Sequence, residues 1–192
     1  MLGYKDYNKY TSGIDYSLII AFFLQNGKLK HYKKGDSFIR VNDQGKYMGY
    51  VISGVFQYRG INAAGGERVV GYSFQEGFVG NYPAFIHRHA STIEIRALCD
   101  CSVYVITYDE LMRFYEANND QQALRWRVSE ILLLEVYDRL ISIYTLTPEE
   151  QYLEIRNRCP DLLNMITLKE LASYLMISPE TLSRIRKKIV ST

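Results

Sequence analysis

Residues 167–192 constrain the fold of this chain more than any other segment does. Thr167, with Glu170 three residues later, forms a capping box that starts a short helix. Apolar residues then recur at the i, i+3, i+4, i+7 spacing of one helix face, at Leu168, Leu171, Ala172 and Leu175. After a tight turn a second helix begins, with Ser178 as its N-cap and Pro179 at its first position. The segment is therefore predicted to be a helix-turn-helix.

The second helix is predicted to be amphipathic and basic. Leu182, Ile185 and Ile189 form its apolar face. Arginine can bind guanine through two hydrogen bonds, glutamate can accept one from cytosine, and lysine suits phosphates, so this helix fits the major groove of DNA. The candidate DNA-binding residues are Thr167, Lys169, Ser178, Glu180, Thr181, Ser183, Arg184, Lys187 and Lys188. The competing interpretation is a helical hairpin whose basic face is simply solvated.

Charge is distributed unevenly along the 192 residues. Residues 151–192 contain seven Lys or Arg and four Asp or Glu, whereas the first 150 residues carry a net charge of −1. A modest excess of about +3 suits a dimer that brings two basic helices to DNA. With 47% hydrophobic residues the chain can form a substantial core. Because it contains no run of 18 apolar residues and its N-terminus lacks an apolar signal segment, we expect a cytoplasmic protein without membrane spans.

The middle of the chain has the texture of an antiparallel β structure. From about residue 28 to 108, short strands alternate with glycine-containing turns, which predicts a sandwich or barrel. Cys99 and Cys101 are expected on one face of a strand, and the three cysteines are too few for a disulfide framework. A long helix free of Gly and Pro follows, from about Asp120 to Tyr144.

This long helix carries two apolar stripes. The first has coiled-coil spacing and predicts a parallel dimer interface, formed by Trp126, Leu133, Tyr137, Leu140 and Tyr144. The second is expected to pack back on the β domain, through Leu132, Val136 and Ile143. Leu146 and Thr147 form the predicted hinge. The predicted domains are therefore a sensor (1–118), a dimerisation helix (119–146) and a DNA-binding domain (147–192).

In this order of elements the chain resembles the Crp/Fnr family of bacterial transcription regulators. The matching motifs are Gly35-Asp36, Val51-Ile-Ser-Gly54, Glu76-Gly-Phe-Val-Gly80, Ile95-Arg-Ala97 and Ser178-Pro-Glu-Thr-Leu-Ser-Arg-Ile185. The resemblance implies an α+β fold with an antiparallel β-roll (double-stranded β-helix) sensor, a homodimer, double-stranded DNA as partner, and RNA polymerase as a further partner of an activator. It also implies that Glu180 and Arg184 contact bases.

The ligand motif departs from that of family members that bind cyclic AMP. Where they carry a glutamate for the ribose and an arginine for the phosphate, this chain has Asn81 and Ser91. Loss of a charged partner for a buried phosphate removes about 1.5–3 kcal/mol. Arg88 could substitute only if its loop repositions it. We therefore expect no cyclic AMP and no cofactor, but another small molecule or none, at an effector pocket of Gly80, Asn81, Tyr82, Ser91, Thr92 and Tyr137.

Two further departures concern the DNA-binding segment. Met176 stands in the turn where glycine is preferred, which predicts some strain there. The sequence ends soon after the second helix, so we expect no β-hairpin wing and no phosphate contacts from one.

Two other functions fit parts of the sequence. His87, His89 and Glu94 resemble the metal motif of cupins and suit Fe, Mn, Ni or Zn, which would indicate a metal-dependent enzyme. A further motif histidine is missing downstream, and a DNA-binding segment is unusual on such an enzyme. The third hypothesis is a ligand-binding module that acts only through protein partners. The basic second helix argues against it, and a regulator without enzymatic activity remains our expectation.

Overall fold

The computed structural model describes residues 14–62 and 65–190. The helices in these ranges are α1 (Ser17–Asn26), α2 (Tyr82–Ile86), α3 (Tyr108–Glu116), α4 (Asn119–Thr145), α5 (Pro148–Arg158), α6 (Leu162–Met165), α7 (Leu168–Tyr174) and α8 (Pro179–Val190). The strands are β1 (Lys28–Tyr32), β2 (Ser37–Ile39), β3 (Tyr47–Ser53), β4 (Val55–Ile61), β5 (Glu67–Phe74), β6 (Phe78–Val79), β7 (Ile93–Ala97) and β8 (Cys101–Thr107).

The strands form two antiparallel sheets, each of four strands. Their orders are β1-β8-β3-β6 and β2-β7-β4-β5, so consecutive strands repeatedly cross from one sheet to the other. An apolar core fills the space between them and includes Val51, Phe56, Val79, Ile95 and Val103, all fully buried. The predicted α+β class with an antiparallel β-roll is confirmed.

The turn between β3 and β4 shows why the sequence places glycine there. Gly54 has a φ of +97°, a conformation that costs other residues free energy. A Cβ at this position would also collide with the Cys101 sulfur and the Asp100 backbone. Cys99 lies in the bend between β7 and β8, so the prediction that it shares a strand face with Cys101 is wrong. The chain needs those residues to turn before β8 begins at Cys101.

Helices α1, α3 and the first half of α4 close one end of the β-roll. Phe23, Leu111, Tyr115 and Leu124 are buried there in one apolar cluster. Helix α3 begins at a capping box, in which Glu110 accepts a hydrogen bond of 2.6 Å from the Thr107 backbone N–H. The packing at this end of the molecule anchors the first half of α4 to the β-roll.

The long helix spans 27 residues, in agreement with the predicted 120–144. Its second apolar stripe packs back on the β-roll only in part. Leu132 joins the cluster at the end of the roll, and Ile143 is half-buried, but Val136 remains 67% exposed. The prediction for Val136 is wrong because Val136 lines a cavity instead of packing on the β-roll.

The C-terminal helices share a core with the β-roll. Val55, Val69, Tyr72 and Phe74 of β4 and β5 belong to the same cluster of buried residues as members of α5 to α8. The members from the C-terminal helices and their connections are Tyr152, Ile155, Cys159, Leu162, Ile166, Leu171, Ala172, Tyr174, Leu175 and Leu182. The helix-turn-helix is therefore docked on the β4–β5 hairpin of its own chain. Of the residues described, no helix is both long and apolar enough to cross a bilayer.

Candidate DNA-binding helix and effector cavity

Helix α7 starts at the predicted capping box. The Glu170 carboxylate accepts hydrogen bonds from the Thr167 backbone N–H (2.8 Å) and hydroxyl (2.9 Å), and the Glu170 backbone N–H donates to Thr167 Oγ1 (3.2 Å). Burial alone would raise the pKa of Glu170. The hydrogen bonds from Thr167 and Gln57 and the charge of Arg59 outweigh burial and hold this pKa below its usual value. An ionised Glu170 therefore fixes the first turn of α7.

The turn between α7 and α8 has a left-handed residue at the predicted position. Met176 has a φ of +60° and is 66% exposed. The N–H groups of Met176 and Ile177 donate to carbonyls in α7, at 3.2 and 3.0 Å, and so satisfy the end of that helix. Ser178 Oγ then accepts from the Thr181 N–H at 3.2 Å and caps α8. Hydrogen bonds on both sides hold this turn although it lacks glycine.

Helix α8 is anchored through its apolar face. Leu182 is completely buried, and Ile185 and Ile189 pack half-buried against the same cluster. Ala172 of α7 is 1% exposed in that cluster. Anchoring on one face leaves the other face of the helix to solvent.

The solvent face of α8 combines one carboxylate with a group of cations. Glu180 and Arg184 lie one helical turn apart and are both exposed. The pKa of Glu180 is lowered by a backbone N–H, the Ser178 hydroxyl and Arg184. An acceptor and a guanidinium donor therefore stand side by side, as base reading requires. Thr181 and Ser183 are half-buried beside them, and Thr167, Lys169 and Ser178 are exposed near the helix starts.

Two basic residues of α8, Lys188 and Arg186, were not fully anticipated from the sequence. Lys188 forms an ion pair of 2.8 Å with Glu149 at the start of α5, so it also ties α8 to its own domain. Arg186 is exposed on the same helix and was missed as a candidate DNA contact. Its position two residues after Arg184, in a run of basic residues, was the available signal. Lys187 is exposed as predicted.

Helix α4 presents a large apolar surface that the described part of the chain leaves uncovered. Trp126, Leu133 and Tyr137 are 66%, 68% and 55% exposed. Leu140 and Tyr144, the other members of the predicted dimer stripe, are 48% and 81% exposed. Large contiguous apolar surfaces usually mark association sites.

A cavity of about 1030 Å³ lies between the β-roll, α4 and the C-terminal helices. Its walls are mostly apolar or aromatic. Of the predicted pocket residues, Gly80, Asn81, Tyr82 and Tyr137 line it, together with Tyr58, Tyr72, Phe78, Leu133, Val136, Arg139 and Tyr174, among others. Ser91 and Thr92 do not line it: Ser91 is buried behind Asn81, and Thr92 is exposed on another surface. The cavity can take a molecule of ordinary ligand size.

The predicted ligand positions hydrogen-bond to each other or to their surroundings. Asn81 Nδ2 donates to Ser91 Oγ at 2.8 Å, and Asn81 Oδ1 caps α2 by accepting from the Ala84 N–H at 3.4 Å. The Gly80 N–H donates to the Tyr58 hydroxyl at 3.3 Å. Groups that could otherwise bind an anion are thus engaged within the protein, and the pair Asn81–Ser91 is neutral.

Arg88 and Arg96, the arginines nearest to Ser91 in the sequence, are also engaged elsewhere. Arg88 lies over the Tyr108 ring at 5.4 Å, on the exposed α2–β7 loop and outside the cavity lining. Arg96 binds Glu94 at 2.7 Å. Neither supplies a guanidinium to the neutral pair.

The three residues of the cupin alternative do not converge on one point. The His87 and His89 rings stack with their centroids 6.1 Å apart. The Glu94 carboxylate instead accepts from the Ser37 hydroxyl at 2.6 Å and from Arg96. Among the described residues, no group of three or more His, Cys, Asp or Glu side chains is arranged to hold a metal ion.

Comparisons with known proteins agree with this architecture. Residues 29–118 match the family model of the cyclic nucleotide-binding domain. Comparison with curated proteins gives no significant match. Among solved structures, the chain is similar to CLP of Xanthomonas campestris, a c-di-GMP-responsive global regulator, with 22% identity, a TM-score of 0.70 and 92% of each chain covered.

Two further structures extend the comparison. FixK2 of Bradyrhizobium japonicum is 14% identical, with a TM-score of 0.72 over 86% of this chain and 85% of that one. The catabolite activator protein of Thermus thermophilus is 16% identical, with a TM-score of 0.53 over 95% and 86%. Residues 29–118 thus match the cyclic nucleotide-binding domain, and the chain as a whole has the fold that its resemblance to the Crp/Fnr regulators implied.

Proposed function

We propose that this chain is a homodimeric, sequence-specific DNA-binding transcription regulator of the Crp/Fnr type. The observation that carries the proposal is the face of α8, where Glu180 and Arg184 are exposed side by side on a helix whose other face is buried. Glu180 and Arg184 read base edges, and the other candidate residues hold phosphates or the helix start. Arg186 joins the phosphate contacts.

The dimer forms along α4. Its 27 residues extend about 40 Å, and the stripe from Trp126 to Tyr144 runs along most of that length. A parallel pair of such helices gives a two-fold axis, so the two α8 helices meet half-sites of a near-palindrome about one DNA turn apart. The sensor is placed at 1–118, the helix at 119–146 and the DNA-binding domain at 147–192. Of these, residues 1–13, 63–64 and 191–192 lie outside the described residues.

The sensor's ligand is not cyclic AMP. The neutral Asn81–Ser91 pair and the engaged Gly80 N–H support this, because a buried cyclic phosphate needs a cation or several donors. The cavity walls are mostly aromatic and aliphatic, with a few charged side chains such as Arg139, and they suit a largely apolar effector. The protein works in the cytoplasm, and an activating form would also contact RNA polymerase.

Selection of bound sequences from a random DNA library, with and without cyclic AMP, tests the proposal. We expect one palindromic motif in both conditions. A motif that appears only with the nucleotide would show that the reading of Asn81 and Ser91 is wrong. Enrichment in neither condition, although the protein is folded and dimeric, would contradict direct DNA binding under those conditions and favour an interaction with protein partners.

Two variants then separate base reading from phosphate binding. Arg184→Ala should weaken the selected site by about 1–3 kcal/mol and relax the preference at one base position. Lys187→Ala should weaken all sequences alike and reduce the salt dependence of binding. Lys46→Ala, which removes an exposed cation from the sensor, is the matched control for loss of charge. Equal losses on every sequence for both α8 variants would contradict this division of roles.

A further inference from the structure

The sensor domain holds the helix-turn-helix through one polar network. Gln57 of β4 is fully buried, and its Nε2 donates to Glu170 Oε1 (3.2 Å) and to the Tyr72 hydroxyl (3.3 Å). Arg59, on the same face of β4, donates from Nε to Gln57 Oε1 at 2.5 Å. Its two terminal nitrogens reach Glu67 (2.6 Å) and Glu170 (3.2 Å). Each of the three nitrogens of the Arg59 guanidinium therefore donates to a different residue.

This network lies at the edge of a wider contact with α7. The Val69 N–H of β5 donates to Ser173 Oγ at 3.1 Å. On the side of the long helix, Arg139 donates to the Tyr174 carbonyl at 2.8 Å and lies 4.0 Å from the centre of its ring. Helix α7 is thus fixed to the β-roll and to α4 of its own chain.

The placement of charges indicates a role in orientation. The Arg59 and Glu170 side chains are only 18% and 22% exposed, so their ion pair is shielded from solvent more than a surface pair would be. Docking leaves Thr167, Lys169, Glu180 and Arg184 exposed. The contact therefore does not cover the proposed DNA-binding face, and its effect is on where that face points.

We infer that Arg59 of the β-roll is a positioning residue for DNA reading. Together with Gln57 it binds Glu170 and so fixes α8 relative to the β-roll. The orientation of α8 then sets the spacing between half-sites that the dimer accepts. The inference rests on the proposed function. The C-terminal helices join α4 through Leu146 and Thr147, and loss of the Arg59 contacts removes one of the restraints on rotation about that connection, while the shared apolar core remains. A domain with that freedom can adapt to operators of different spacing.

The test measures binding of full-length dimer to the selected operator and to versions whose half-sites are moved closer together or further apart. Arg59→Met should lower the preference for the original spacing about fivefold, the lower end of coupling between separate sites. Arg59→Lys keeps the charge but cannot reach three acceptors at once, and should give an intermediate preference. Lys33→Met removes one cation and one exposed ion pair of the sensor, and should keep the spacing preference of the unmodified protein.

Amide hydrogen exchange gives a second readout that needs no DNA. Exchange at Val69 and in α7 should quicken in Arg59→Met but not in Lys33→Met. An unchanged spacing preference in Arg59→Met would overturn the inference, and so would unchanged exchange. A uniform loss of affinity at all spacings would show a structural role only. If the unmodified protein selects no DNA, the proposed function fails. Faster amide exchange in Arg59→Met would then show that Arg59 holds α7, but not that this contact has a role in DNA binding.

Discussion

Replacing Tyr58 by phenylalanine tests the interpretation that the sensor's anion-binding groups are occupied by the protein itself. The Tyr58 hydroxyl accepts from the Gly80 N–H at 3.3 Å and lies 2.8 Å from Ser73 Oγ. Because Ser73 Oγ donates to the Phe78 carbonyl at 2.7 Å, Tyr58 is the donor to Ser73. The substitution removes one oxygen, deletes both hydrogen bonds and leaves the ring in place.

The expected cost follows from the groups left behind. The Gly80 N–H loses its acceptor. Gly80 is half-buried, and a donor left unsatisfied away from water costs about 1–3 kcal/mol. The bond at 3.3 Å is long, and Ser73 keeps its bond to Phe78, so the total should be about 2 kcal/mol. Burial raises the pKa of the Tyr58 hydroxyl, which agrees with a shielded environment.

Urea unfolding monitored by circular dichroism provides the assay, with the change read from the midpoint at constant slope. Tyr104→Phe is the matched control, because this half-buried tyrosine of β8 has a hydroxyl without a hydrogen bond to the described part of the chain. A loss below about 0.5 kcal/mol for Tyr58→Phe, equal to that of the control, would refute the reasoning. It would mean that water pairs with Gly80 and that the N–H remains available to a ligand.

Three further predictions concern the C-terminal helices. Met176→Gly should stabilise the chain by about 0.5 kcal/mol in urea unfolding, because relief of a left-handed backbone exceeds the added flexibility of glycine; a loss would show that the Met176 side chain contributes packing. Leu182→Ala, at a fully buried site, should cost about 2–5 kcal/mol and lower the thermal midpoint of both domains, since they share a core; a shift of one transition alone would contradict that shared core. Since the pKa of Glu170 is lowered on folding, its contribution is present above the ordinary value of 4.5 and is lost as pH falls through the lowered value. Unfolding free energy should therefore fall more steeply below about pH 5 in the unmodified protein than in Glu170→Gln, and equal slopes would refute this.

Local rules were enough to predict the helix-turn-helix. The capping box at Thr167, the Ser178 cap and the apolar spacing all act within a few residues, so the sequence alone determines them. The long helix was predictable for the same reason. Its packing was not, because Val136 lines a cavity, and the periodicity of α4 does not encode where a cavity lies.

The candidate effector site was predictable only in part. Departure from a charged motif at Asn81 and Ser91 was visible, but their mutual hydrogen bond depends on how β6, α2 and β7 meet. The network of Gln57 and Arg59 left no recognisable trace in the sequence. Gln57 lies between two aromatic residues of a strand, and its partner Glu170 is 113 residues away and already has a local role as a cap. Because the cap explains Glu170 by itself, nothing in the sequence indicates that this residue also binds Gln57.

The position of the cavity bears on how an effector would act. An effector changes DNA binding only if it binds more tightly to one orientation of the proposed DNA-binding domain than to another. The β-roll contributes Tyr72 to the cavity wall, α4 contributes Tyr137, and the C-terminal helices contribute Tyr174. When the C-terminal helices move relative to the β-roll and α4, the shape of the cavity changes. A ligand that contacts all three parts therefore binds the two orientations with different affinities. Tyr72 also accepts the hydrogen bond from Gln57, which places the proposed effector next to the contact that we infer orients α7.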